Sequence, residues 1–288
     1  MVYVMDNVIS ATDTYLSLLL SLPKISALTV FSSFLLIVGR ILPNMTLAPF
    51  FGSKSIPHPV KIMFSICICT IFLPSILVNL KQTEIPFNYL FIGFMLKELI
   101  IGFILGYLVA IPFYIAQSSG TLIDHIRGSS ALQVTDPTTQ TQTGPIGIFY
   151  NYTLIAIFFL IGGPFLFIDA LGTSFELIPI NGFFNPNFFS NKVPFWHDMI
   201  TLLNYIFSMS IQLGAPSIIG ILMAEMFLGI ANRLAPQVQI VFLGISLKSW
   251  VGLAILAVAW VFIINQLGKE SLSWVKSITQ VIKQAALK

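Results

Sequence analysis

Asp124-His125 and His197-Asp198 each set an imidazole beside a carboxylate, the pairing that general acid–base chemistry uses. Neither lies near an H-E-x-x-H, a G-x-S-x-G or another nucleophile motif, so both read as loop polar groups. Cys67 and Cys69 are the only cysteines. On a helix, residues two apart point about 200° from one another, and two thiols fall short of a zinc or iron–sulfur set. They read as small apolar residues of a core. With no phosphate loop or dinucleotide fingerprint either, the sequence calls for no cofactor, no metal and no enzyme chemistry.

The charges that stand out lie inside apolar runs. Glu98, Gly102 and Gly106 fall at i, i+4 and i+8, so one helix flank combines a carboxylate with two small residues on which a neighbouring backbone can settle. Lys97 is about 100° round the helix from Glu98, which predicts no pair between them and a separate partner for each. Charges at membrane depth are costly and face protein or water, so both suit subunit contacts or an ion pathway. Glu225 and Gly229 repeat the carboxylate-and-notch pattern. Arg233 and Lys248 flank the turn that follows, and predict that Glu225 is neutralised within its own hairpin.

The elements that must position these groups follow from composition. Hydrophobic residues make up 56% of the chain and charged residues 9%, with mean hydropathy +0.91, so water is not its main solvent. A net charge of +3, dispersed along 288 residues, suggests no nucleic-acid partner. Asp6 and Asp13 stand where a signal peptide would carry basic residues, so the first apolar segments are expected to stay in the mature protein.

About six hydrophobic segments follow, at 15–51, 60–80, 87–117, 146–168, 199–230 and 238–267. Pro23, Pro43 and Pro49 make the first a kinked one. The expected fold is an all-α polytopic membrane protein. Residues 1–268 form its membrane domain, which includes a helical hairpin at 199–267. Residues 269–288, with lysines at 269, 276 and 283 in heptad spacing, form an amphipathic C-terminal helix. Six spans would put the acidic N-terminus and the lysine-rich tail on one side, against the positive-inside rule. Either one segment is re-entrant or lipid does not surround the whole bundle.

Gln117–Pro145 is the most polar interval of its length, and lies between two long apolar runs. Its Leu122, Ile123, Ile126, Leu132 and Val134 are too regular for a solvated tail. It reads as a loop lying against protein and meeting a polar passage, or as an ordinary surface connection. A second long connection, rich in Phe, Asn and Pro, is expected over 169–198.

Several separated motifs resemble one family. They are Gly-Arg-Ile-Leu-Pro-Asn-Met-Thr-Leu-Ala-Pro-Phe-Phe-Gly (39–52), Lys97-Glu98-Leu-Ile-Ile-Gly102, Gly120-Thr-Leu-Ile-Asp124, Arg127-Gly-Ser-Ser130 and Asp136-Pro137. Gly214-Ala-Pro216, Gly229-Ile-Ala-Asn-Arg-Leu-Ala-Pro-Gln237 and Leu247-Lys248-Ser249 complete the set. Across residues 25–265 they resemble the FliR/SctT family, the export-gate subunit of type III secretion systems, and look more like its injectisome branch than its flagellar one.

The resemblance implies a multi-pass protein of the bacterial inner membrane. Its partners would be SctR/FliP-like, SctS/FliQ-like and SctU/FlhB-like subunits, together forming a pore for unfolded protein substrates in transit. It further implies that the loop carrying Arg127, Gly128, Ser129, Ser130, Asp136, Pro137 and Thr143 plugs the channel, and that much of the assembly is raised above the bilayer plane. Lys97, Glu98, Gly102, Gly106, Glu225, Arg233 and Lys248 would then serve assembly. The rival reading is an ion-coupled transporter using Lys97, Glu98 and Glu225. It rests on a faint internal echo between Arg40-Ile-Leu-Pro43 and Arg233-Leu-Ala-Pro236.

Overall fold

A computed structural model describes residues 26–51, 56–80, 85, 87–128, 134–135, 142–182, 194–234 and 240–286. The described residues form seven helices and one two-residue antiparallel ladder.

Helix α1 (Ala27–Leu47) starts where the Ser26 hydroxyl accepts from the Thr29 amide at 3.3 Å, and a 3-10 turn at Pro49–Phe51 follows it. Helix α2 (His58–Asn79) opens on Pro57 and Pro59, positions where a missing N–H costs nothing. Helix α3 (Tyr89–Ile126) runs 38 residues, about 57 Å at 1.5 Å per residue, well beyond a hydrocarbon core of about 30 Å. Gly128 ends it with φ +84°, a left-handed conformation that glycine adopts without strain.

The polar interval therefore begins later than its composition predicts: Gln117–Ile126 is the last part of α3, not loop. The polarity there serves close packing. Gln117, Gly120 and Asp124 are buried on the face toward the next helix, α4 (Pro145–Leu160). A Cβ on Gly120 would stand 2.6 Å from the Gly147 Cα. Thr121 turns its hydroxyl back to the Gln117 carbonyl at 2.8 Å, so this polar group is satisfied within the helix.

Helix α4 breaks at Gly162 (φ +74°), and Pro164 starts helix α5 (Gly163–Leu177) at an angle of 74°. The pair is a broken span or a re-entrant loop. Among the described residues it accounts for the sixth segment beside five helices long and apolar enough to cross a membrane. Asp169–Leu177 belongs to α5, so the second connection is shorter than expected, because apolar spacing persists through Phe175. Helices α6 (Pro194–Leu234) and α7 (Ile240–Ala286) form the C-terminal hairpin. The expected tail is continuous with α7 through Ala286.

The fold centres on α3, which packs against α1, α4, α6 and α7. Leu36, Ile37, Ile41, Leu108, Ile111, Phe113, Tyr150 and Phe158 are fully or almost fully buried around it. Phe50 joins Phe113, Phe158 and Phe167 with ring centroids 4.6–5.8 Å away. Helix α1 crosses α3 on the two glycines of the notch. A Cβ on Gly102 would overlap the Arg40 carbonyl, and one on Gly106 would stand 2.9 Å from the Asn44 Cα. The outward faces of α6 and α7 carry Phe207, Met226, Phe227, Trp250, Val258 and Val261, each exposed in the isolated chain.

Candidate functional site

That close crossing puts Arg40 of α1 directly over Glu98 of α3. The guanidinium holds the carboxylate with two bonds, Nε to Oε2 at 2.5 Å and Nη2 to Oε1 at 2.9 Å. Its remaining donors reach the Ser174 carbonyl and the Ile178 carbonyl, each at 2.7 Å, at the C-terminal end of α5. The Phe175 ring lies under it with its centroid 4.2 Å from Cζ.

Lys97 completes the cluster. Its ammonium is 2.7 Å from Glu98 Oε1 and donates to the carbonyls of Pro179, Ile180 and Gly182 at 2.8–3.3 Å. Arg40 and Glu98 are fully buried, and Lys97 is 3% exposed. Two cations and one anion leave a surplus of +1. Five carbonyls and the negative end of the α5 dipole face that surplus.

The expectation that Lys97 and Glu98 have separate partners is corrected here. Helix-surface geometry keeps i,i+1 side chains apart only when each points outward. In this case both fold over one side of α3 toward the chain that follows α5. Sequence reasoning left Arg40 out of the site, although an arginine inside an apolar run, one turn of helix before Asn44, was a usable signal.

The second constellation closes the base of the polar loop. Asp124, buried on the last turn of α3, accepts from the Ile146 amide at 2.9 Å and the Gly147 amide at 3.3 Å. It thus sits on the N-terminal end of α4, where backbone N–H groups lack helical partners. Arg127 binds the other carboxylate oxygen through Nε at 3.0 Å and Nη2 at 2.8 Å, and reaches the Ser249 hydroxyl of α7 at 3.3 Å. One carboxylate therefore pins both ends of the loop and connects them to the C-terminal hairpin. A side chain at position 144 would overlap the Asp124 carboxylate. Asp124 is thus a helix residue with a structural task, not the loop polar group its neighbours suggested.

Within the loop, Val134–Thr135 (β1) pairs with Gln142–Thr143 (β2), Val134 opposite Thr143. Ser129, Ser130, Asp136 and Pro137 lie outside the described residues. In the C-terminal hairpin Lys248 binds Glu225 at 2.6 Å, with the Glu225 side chain 53% exposed, while Arg233 is exposed at the end of α6. Gly229 has open space where a Cβ would go. His125 is exposed on the last turn of α3, and His197-Asp198 fall in the first turn of α6.

Comparison with known proteins places these features in context. Residues 31–273 match the family described as bacterial export proteins, family 1. The flagellar biosynthetic protein FliR of Bacillus subtilis (strain 168) is 30% identical over 239 residues, 81% of this chain and 88% of that protein. The Yop proteins translocation protein T of Yersinia pestis is 30% identical over 187 residues, 65% and 70% of the two chains. The secretion system apparatus protein SsaT of Salmonella typhimurium is 27% identical over 201 residues, 69% and 75%. Both flagellar and injectisome relatives are thus represented.

Proposed function

Because the chain belongs to the bacterial export proteins, family 1, and is a multi-pass inner-membrane subunit of a type III secretion export apparatus, we propose that it walls and closes part of the export pore. Unfolded protein substrates would pass without covalent chemistry. The loop from Arg127 to Thr143 would be the element that closes the passage.

The observation that carries this reading is the Asp124 clamp. It fixes both ends of the loop at the tip of the central helix and leaves the ladder between them as a flap on a rigid base. If it is the plug, such a flap would be held shut by weak contacts, each worth about 0.5–1.5 kcal/mol net, and a docked substrate would displace it without breaking the fold. The buried Arg40–Glu98–Lys97 cluster fixes α1, α3 and α5 into one scaffold behind it.

The apolar outer faces of α2, α6 and α7 fit partner helices, and we infer that SctR/FliP-like, SctS/FliQ-like and SctU/FlhB-like subunits supply them. The ion-coupled transporter reading is weaker. It needs Lys97 and Glu98 to exchange partners with a passing ion, and both are held by this chain's own groups.

Deleting residues between Ser130 and Gln142 tests the proposal. The deletion complex should assemble at wild-type yield and, reconstituted in bilayers without substrate, conduct small ions where wild type does not. An assembled deletion complex as tight as wild type would refute the plug.

A further inference from the structure

Pro112 stands in the middle of α3, half-buried against the bundle. A proline has no N–H to give to the carbonyl four residues back, so the Leu108 carbonyl loses its helical partner. At membrane depth an unpaired carbonyl is costly, and water is not at hand to replace the bond. Here the replacement comes from the far end of the chain. Trp274 of α7 donates its indole Nε1–H to the Leu108 oxygen at 2.6 Å.

The ring is held in place from two sides. It stacks on Tyr205 of α6, centroids 5.6 Å apart and planes 11° from parallel. The Tyr205 hydroxyl in turn donates to Glu270, one helical turn before Trp274, and Gln266 donates to the same carboxylate at 2.9 Å. A small cavity of about 20 Å³, lined by Pro112, Met209, Leu267 and Trp274 among others, remains beside the contact. The seat is therefore made by three helices around one backbone gap. Trp274 lies on the last part of α7, one residue past the stretch matched to the family.

Fourteen residues, about 21 Å of helix, separate Pro112 from the end of α3 at Ile126, next to the Asp124 clamp. A proline gap is where a long helix bends. What fills the gap sets how freely the loop-bearing half of α3 can swing.

We propose that the C-terminal part of α7 is a latch on the gate: Trp274, seated in the Pro112 gap, holds the loop-bearing half of α3 in its closed arrangement. The proposal rests on the reading of the loop as a plug. Release of Trp274 leaves the Leu108 carbonyl unpaired and α3 free to bend. A force or partner acting on the tail is thereby transmitted to the loop base.

The test uses the complete export-gate complex, purified and reconstituted in bilayers. Trp274→Phe keeps the stacked ring and removes the donor. It should assemble and raise closed-state conductance about tenfold, the effect of one lost buried hydrogen bond on the open–closed equilibrium. Pro112→Ala restores a backbone N–H that closes the gap from within α3. In that background Trp274→Phe should add nothing further.

Closed-state conductance unchanged by Trp274→Phe, or raised equally in the Pro112→Ala background, would overturn the latch. Should Trp274→Phe alone fail to assemble, the double variant Pro112→Ala/Trp274→Phe must recover assembly, and its failure to do so overturns the proposal as well. The loop deletion is run alongside. If it leaks while Trp274→Phe stays tight, the latch falls and the plug stands. If the loop deletion is itself tight, the plug falls and takes the latch's gating role with it.

Discussion

Glu98 is the one anion between two buried cations, so its removal should be felt more than the removal of either cation. Glu98→Gln leaves Arg40 and Lys97 together, raising the local charge from +1 to +2, with carbonyls alone to face it. Breaking a buried pair in this way costs about 3–5 kcal/mol. Arg40→Met leaves the neutral pair Lys97–Glu98, yet frees the two α5 carbonyls that Arg40 held. Lys97→Met leaves the two-bond Arg40–Glu98 pair whole and should be the mildest.

The expected order of destabilisation is therefore Glu98→Gln, then Arg40→Met, then Lys97→Met. The double variant Arg40→Met/Glu98→Gln has a local charge of +1 again, carried by Lys97 among its three carbonyls. It should be less damaging than Glu98→Gln alone, a coupling of about 1–3 kcal/mol for residues in one network. Assembly yield on native gels, with thermal inactivation of the detergent-solubilised complex, reads both. Glu98→Gln no worse than Lys97→Met, or a double variant worse than Glu98→Gln, would show that net buried charge is not what organises this cluster.

Two further variants probe the other ion pairs. Asp124→Ala removes the acceptor for the Ile146 and Gly147 amides and the partner of Arg127, and should make the assembled gate leak in the bilayer assay at a cost of about 3–5 kcal/mol locally. Normal closure would mean that the clamp does not hold the loop. Glu225→Ala breaks a pair that is half exposed in the isolated chain, worth about 0–1 kcal/mol there, so melting of the isolated chain should barely move while co-purification of partner subunits falls. Lower melting with undiminished co-purification would place the role of Glu225 inside the chain instead.

Much of the scaffold was legible because membrane helices have few ways to be written. Long apolar runs gave the spans, and the spacing of Gly102 and Gly106 matches the place where α1 crosses α3, whereas the 74° break at Gly162 falls inside a run, 146–168, that reads as one continuous segment. Polarity was the misleading signal. Gln117–Ile126 looked like loop because Gln, Ser, Gly and Asp favour loops in water. Inside a bundle the same small polar residues let two backbones approach, with Thr121 bonded back along its own helix and Asp124 bonded across to α4.

What stayed hidden was reciprocity between distant positions. Arg40 and Glu98 are 58 residues apart, Trp274 and Leu108 are 166 apart, and no periodicity links the members of either pair. Each is nonetheless the answer to a local deficit that the sequence does display: a carboxylate within an apolar helix, and a carbonyl orphaned by proline. In a solvent that supplies no hydrogen bonds, every such deficit must be met by another part of the protein or by a partner. The deficits can therefore be read from sequence, and the fold identifies what meets them. For α3, two of the meeting points are the Glu98 cluster and the Pro112 gap. They lie fourteen residues apart on the helix whose last turn carries the Asp124 clamp, so α3 is tied to its neighbours at three levels before the loop begins.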